Sequence, residues 1–93
     1  MEKNDKTIIT VVGKDTVGII AKICTYLAGN HINVNDISQT IVDGFFHMMM
    51  IVDLSKTDVP FSRVQEELSQ IGDEIGVQIK CQRSEIFEMM HRI

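Results

Sequence analysis

The spacing of apolar positions changes along the chain, and each change marks a new element. Thr7-Ile8-Ile9-Thr10-Val11-Val12 is a β-branched run closed by Gly13 and predicts a strand. From Val17 onward, Val17, Ile20, Ala21, Cys24, Leu27 and Ala28 fall at helical spacing, and Gly29-Asn30 supplies a stop. Ile32 to Val42 is extended, with Ile32 and Val34 on one parity and Ile37 and Ile41 on the other. That change of phase predicts a bulge near Asn35-Asp36. Asp43-Gly44 is a tight-hairpin signal, and it leads into a strand over Phe45 to Leu54. Phe46, Met48, Met50, Val52 and Leu54 share one face of this strand, and Phe45, Met49 and Ile51 the other. A strand apolar on both faces is usually covered twice. One helix layer covers one face, so the other is expected to meet a second copy of the chain.

Pro60 marks the start of a second helix, with the stripe Phe61, Val64, Leu68, Ile71, Ile75 and a stop at Gly76. Val77, Ile79 and Cys81 alternate with Gln78, Lys80 and Gln82, which predicts a last strand with one wet face. Ser84 can cap a short C-terminal helix over 85–93, whose apolar residues are Ile86, Phe87, Met89, Met90 and Ile93. The order β-α-β-β-α-β is the α+β, ferredoxin-like sandwich: a four-stranded antiparallel sheet with two helices on one face, here with an added C-terminal helix. The fold hosts many functions and decides none of them.

Ninety-three residues make one domain, with the core expected over about 6–84. Hydrophobic residues are 44% of the chain, enough for a core without metals or disulfides. The net charge of −4 is mixed along the chain and leaves no basic stripe, which argues against a nucleic-acid partner. Cys24 and Cys81 lie far apart in apolar stretches and are expected to be buried free thiols, as in a reducing compartment. The N-terminal residues are polar, and no apolar run approaches a membrane span. The expectation is a cytoplasmic protein with no membrane contact.

Chemistry is sparse. Gly13 and Gly18 flank a four-residue turn, and free helix N–H groups are expected near Thr16 and Val17, where they favour an anion. Asp15 can either cap this helix or bind an ammonium; donors for a carboxylate beside an acceptor for an amine suit a free amino acid. Asn30, Asn33, Asn35 and Asp36 cluster where the second strand begins. Asn30 reads as turn chemistry in a left-handed conformation. Asn33 and Asn35 are less at home in a strand, and an Asn amide can donate to a carboxylate and accept from an amine. His31, His47 and His91 have no partner at ligand or triad spacing, and Ser38 and Thr40 have no base nearby. Glu66-Glu67 and Asp73-Glu74 read as a solvated helix flank. No phosphate loop or dinucleotide motif occurs, so neither an enzyme nor a cofactor or metal is expected.

Gly13-x-Asp15-x-x-Gly18-Ile19, followed by Asn33-x-x-x-Ile37, resembles the ACT domain over about residues 6 to 84. The runs Val34-Asn35-Asp36-Ile37-Ser38-Gln39-Thr40 and Asp43-Gly44-Phe45-Phe46, with Met48 to Asp53, resemble the stand-alone single-ACT proteins of prokaryotes. The resemblance implies a regulatory homodimer that binds an amino acid or similar small ligand. The ligand is held between the first loop of one protomer and strand two of its neighbour. By the resemblance the binding positions are Asp15, Thr16, Val17, Gly18 and Asn33, with Asn35 added by proximity. The family loop often has Pro just before its second glycine; Val17 stands there in this chain and keeps a backbone N–H.

Three other readings compete. An acylphosphatase-like enzyme needs an Arg-bearing phosphate cradle in the first loop, which instead offers Lys14 and Asp15. A protein-interaction module without a small ligand, docking through the C-terminal helix or the second sheet face, is the main alternative. An RNA-binding version would want a basic surround for Phe45 and Phe46, and that surround is missing.

Overall fold

A computed structural model of the chain describes residues 6–14 and 18–83. The elements are β1 (Lys6–Lys14), α1 (Ile19–Gly29), β2 (Asn33–Val42), β3 (Phe45–Asp53), α2 (Phe61–Ile75) and β4 (Val77–Arg83). The strands form one sheet in the order β2-β3-β1-β4, antiparallel throughout. This is the expected ferredoxin-like α+β arrangement. The expected C-terminal helix lies outside the described residues.

The core forms between one sheet face and the two helices. Ile9 and Val11 of β1, Phe46, Met48, Met50 and Val52 of β3, and Val77, Ile79 and Cys81 of β4 point into it. Ile19, Ile23 and Leu27 of α1 and Val64 and Leu68 of α2 meet them there. The period-2 patterns of β3 and β4 therefore read correctly. The α1 stripe did not: the helix buries Ile19, Ile23 and Leu27, while Ala21 and Ala28 are exposed. The segment is apolar nearly all round, so two neighbouring stripes at helical spacing competed and only packing chose between them. Cys24 is half-buried and Cys81 buried, and both are free thiols.

The phase change in β2 is a bulge. The register with β3 shifts between Val34 and Asp36, which leaves Asn35 as the extra residue. Val34 then pairs with Val52, Ile37 with Met50 and Ile41 with Phe46, so all three share the helix-side face of the sheet. Asp43 and Gly44 both take positive φ, 55° and 82°, as a two-residue hairpin requires.

Pro60 is the N-cap of α2, one residue before the helix proper, and its carbonyl accepts from the Arg63 and Val64 N–H groups at 3.0 and 3.1 Å. Gly76 ends the helix in the left-handed conformation. Gly72 is needed for a different reason: a Cβ there would sit 2.6 Å from the Val77 carbonyl oxygen. That glycine lets α2 press against the turn into β4.

Candidate functional site

The expected site has two halves, and a single chain holds them apart. β1 runs from Lys6, opposite Asp53, to Lys14, opposite Phe45. The first loop therefore leaves the sheet at the end where β2 finishes, because Val42 pairs with Phe45. Asn33 starts β2 at the other end, opposite Asp53. α1 also separates them, since its 11 residues span about 16 Å between Gly18 and the approach to Asn33.

At the first half, the helix begins later than the sequence predicts. Gly18, not Asp15, is the N-cap of α1, with φ 92° and no side-chain cap. Its carbonyl accepts the first helical bond, from Lys22 N–H at 2.9 Å. The first turn of α1 leaves the N–H groups of Ile19, Ile20 and Ala21 without an intrahelical partner. Among the described residues no neighbour lies within 4 Å of a Cβ built on Gly18, and its φ of 92° is the angle that calls for a glycine. Asp15, Thr16 and Val17 lie outside the described residues.

Gly18 also lines an open hollow of about 460 Å³ between the helices, with Ala21, Lys22, Thr25, Tyr26 and Ile71. Lys22 also pairs with Glu74 of α2 at 3.8 Å. Tyr26 donates its hydroxyl to Glu67 Oε1 at 2.5 Å. Burial and that carboxylate together hold the phenol protonated well above its ordinary range.

At the second half, Asn33 and Asn35 come together. The Asn33 amide donates to Asn35 Oδ1 at 2.9 Å, and both side chains are exposed. Asp36 turns back on the chain to accept from the Ile37 N–H at 2.9 Å. Asn33 lines an open hollow of about 620 Å³ with His31, Ile32, Asp53 and Lys56. The Ser55 N–H donates to the Asp53 carboxylate at 2.9 Å; this bond, with Lys56 and Lys6 nearby, holds Asp53 below the usual carboxylate range. Asp53 and Lys56 escaped the sequence reading because only the register of β2 on β3 brings them beside Asn33. Lys22 and Tyr26 escaped it because they read as ordinary helix surface.

Asn30 does not take the left-handed conformation expected of it. Its φ is −112°, and its amide closes α1 by donating to the Tyr26 carbonyl at 2.9 Å. His31 has φ 60° instead. His31 N–H reaches the Ala28 carbonyl at 3.3 Å and Ile32 N–H the Leu27 carbonyl at 3.0 Å, the double closure of a Schellman motif. His47 lies exposed on β3, and His91 is outside the described residues. Among the described residues, no group of three or more His, Cys, Asp or Glu could hold a metal ion. No described helix is long and apolar enough to cross a membrane.

The family profile of the ACT domain matches residues 6–82. A UPF0237 protein of Bifidobacterium longum is 61% identical over 89 residues, which cover 96% of this chain and 99% of that one. A UPF0237 protein of Methanocaldococcus jannaschii is 46% identical over 88 residues, covering 95% and 98%. An ACT domain protein from Streptococcus pneumoniae has a similar solved structure: TM-score 0.78 at 41% identity, covering 89% of this chain and 93% of that one. The ligand-free regulatory subunit of aspartate kinase from Thermus thermophilus aligns with a TM-score of 0.66 at 25% identity. That alignment covers 87% of this chain and 52% of the subunit.

Proposed function

The chain belongs to the ACT domain family, a family of regulatory modules, and on that premise we propose that it is a homodimeric sensor of a free amino acid. The observation that carries this reading is the state of β2. It is an edge strand, and all ten of its residues are exposed. A second copy adding antiparallel along β2 continues the sheet by a two-fold axis. Its Asn33 end then lies at the Val42 end of the first copy, which is the end where the first loop emerges. Dimerisation of this kind brings the two halves of the site towards each other.

In that shared site the first-turn N–H groups of α1 beyond Gly18 and the N–H groups of Thr16 and Val17 receive the ligand carboxylate. Asp15 takes the ammonium. The amides of Asn33 and Asn35 from the partner strand complete the polar contacts. Regulation follows from linkage: a ligand that bridges two protomers favours the dimer geometry that holds it by its differential affinity.

Thermal unfolding with each of the twenty amino acids at millimolar concentration tests the proposal. One or a few should raise the midpoint, with a stabilisation of about 2.7 kcal/mol at a hundred times Kd. Asn33→Ala and Asp15→Asn should each remove that response without changing the ligand-free midpoint by more than a fraction of it. A flat response to all twenty would end the amino-acid reading.

A further inference from the structure

We infer, resting on the amino-acid reading above, that the ligand of the shared site carries a side-chain carboxylate and that Lys56 receives it in the hollow at the start of β2. Register and a turn build this hollow. Asn33 stands opposite Asp53 where β2 pairs with β3. Just past Asp53 the chain reverses: the Thr57 N–H donates to the Leu54 carbonyl at 3.4 Å, which makes Lys56 the third residue of a four-residue turn. That turn brings Lys56 back beside Asp53 and Asn33. His31, in its left-handed conformation, and Ile32 complete the lining from the exit of α1. The hollow of about 620 Å³ has ample room for the side chain of aspartate or glutamate.

The polar groups lining the hollow decide the class of side chain. Asp53 is already supplied with donors: it accepts from the Ser55 N–H at 2.9 Å and from the Ser55 hydroxyl, with Lys56 and Lys6 nearby. Asp36, further along β2, accepts from the Ile37 N–H at 2.9 Å. Lys56 is exposed and, among the described residues, makes no ion pair at contact distance. The Asn33 amide donates one hydrogen to Asn35 and keeps a second, and the His31 ring carries a further N–H. The carboxylates here thus have their donors, while the ammonium lacks an acceptor. A ligand carboxylate gains a charge-assisted bond to Lys56, roughly twice as strong as the bond a side-chain amide makes. A basic side chain meets the like charge of Lys56 and finds Asp53 occupied. With its α-carboxylate and ammonium at the first loop of one protomer, an acidic amino acid ties that loop to Lys56 of the other copy.

Calorimetric titration of the full-length protein provides the test, with L-glutamate and L-aspartate against the other eighteen amino acids. One of the two acids should bind more tightly than its own amide. Lys56→Gln removes a charge from an exposed side chain and should leave the ligand-free unfolding midpoint in place. It should raise the Kd for the acid by about tenfold or more. Lys80→Gln, on an exposed lysine of β4, should leave that Kd unchanged. A protein that answers only to neutral or basic amino acids overturns this inference and leaves the amino-acid reading standing. Binding of glutamate or aspartate that Lys56→Gln does not weaken overturns it too, since the carboxylate is then held elsewhere. No response to any of the twenty ends both.

Discussion

His31 holds φ 60° at the exit of α1, where a side chain with a Cβ is strained by roughly 1 kcal/mol and a glycine is not. It sits at the position after the C-cap, and two backbone bonds to Ala28 and Leu27 lock it there. His31→Gly should accordingly raise stability by about 0.5–1 kcal/mol, seen as a higher urea midpoint at unchanged slope. The sequence did announce a helix stop at Gly29-Asn30. It did not say which residue takes the left-handed turn, because that is set by counting from Leu27, whose burial fixes where the last turn closes. Cys81 offers a second residue-scale test. Burial pushes its thiol from 9.0 up to about 12. The folded state thus favours the protonated thiol, a contribution fully present below pH 9 and lost as pH rises towards 12. Between those values the unfolded chain releases this proton and the folded one keeps it, which lowers stability by up to about 1.4 kcal/mol per pH unit. Cys81→Ala should flatten the fall in unfolding free energy between pH 9 and 11 relative to the parent. Equal slopes would show that the thiol titrates normally.

At the scale of elements, legibility followed the number of competing patterns. β4 alternates apolar and polar residues cleanly, and although β3 is apolar on both faces, its longer row, Phe46, Met48, Met50 and Val52, is the buried one. The β2 bulge was legible for the same reason: Val34 and Ile37 can share a face only if one residue between them is left over, and that residue is Asn35. α1 was legible as a helix but not in its rotation, since Ile19, Ile20, Ile23, Cys24 and Leu27 offer two faces of similar apolarity. Its first turn was placed too early for a related reason. Val17 extends the apolar period backwards, whereas the backbone turns at Gly18, where only a glycine takes φ 92° at no cost. The candidate site inherited both outcomes. Asn33 and Asn35 were singled out as candidates because Asn is out of place in a strand. Lys22, Tyr26, Asp53 and Lys56 were not, because nothing in their local spacing tells which strand or helix faces them.

At the scale of the whole molecule the two sheet edges are treated differently. β4 packs against α2, whose Gln65 donates to the Cys81 carbonyl at 2.9 Å. β2 has no such cover among the described residues, and on its helix side Ile37 and Ile41 are 43% and 55% exposed. An edge both unpaired and apolar is a place where a second strand adds, and natural monomers guard such edges with charge. Charges put there should therefore act on assembly and not on folding. Ile37→Lys with Ile41→Lys is expected to leave the unfolding midpoint of the monomer nearly unchanged. It should also weaken self-association by a hundredfold or more: about 1.5 kcal/mol of lost burial for each side chain gives about 3 kcal/mol together. Sedimentation equilibrium reads the first effect of interest, and the amino-acid response of the same variant reads the second, because a site shared between protomers disappears with the dimer. The rival surface is the open end of the other sheet face, marked by Val12, Val42 and Phe45. Phe45→Lys isolates it. If that single change separates the protomers and the β2 pair does not, the copies meet face to face, and Asn33 of one protomer has no route to the first loop of the other.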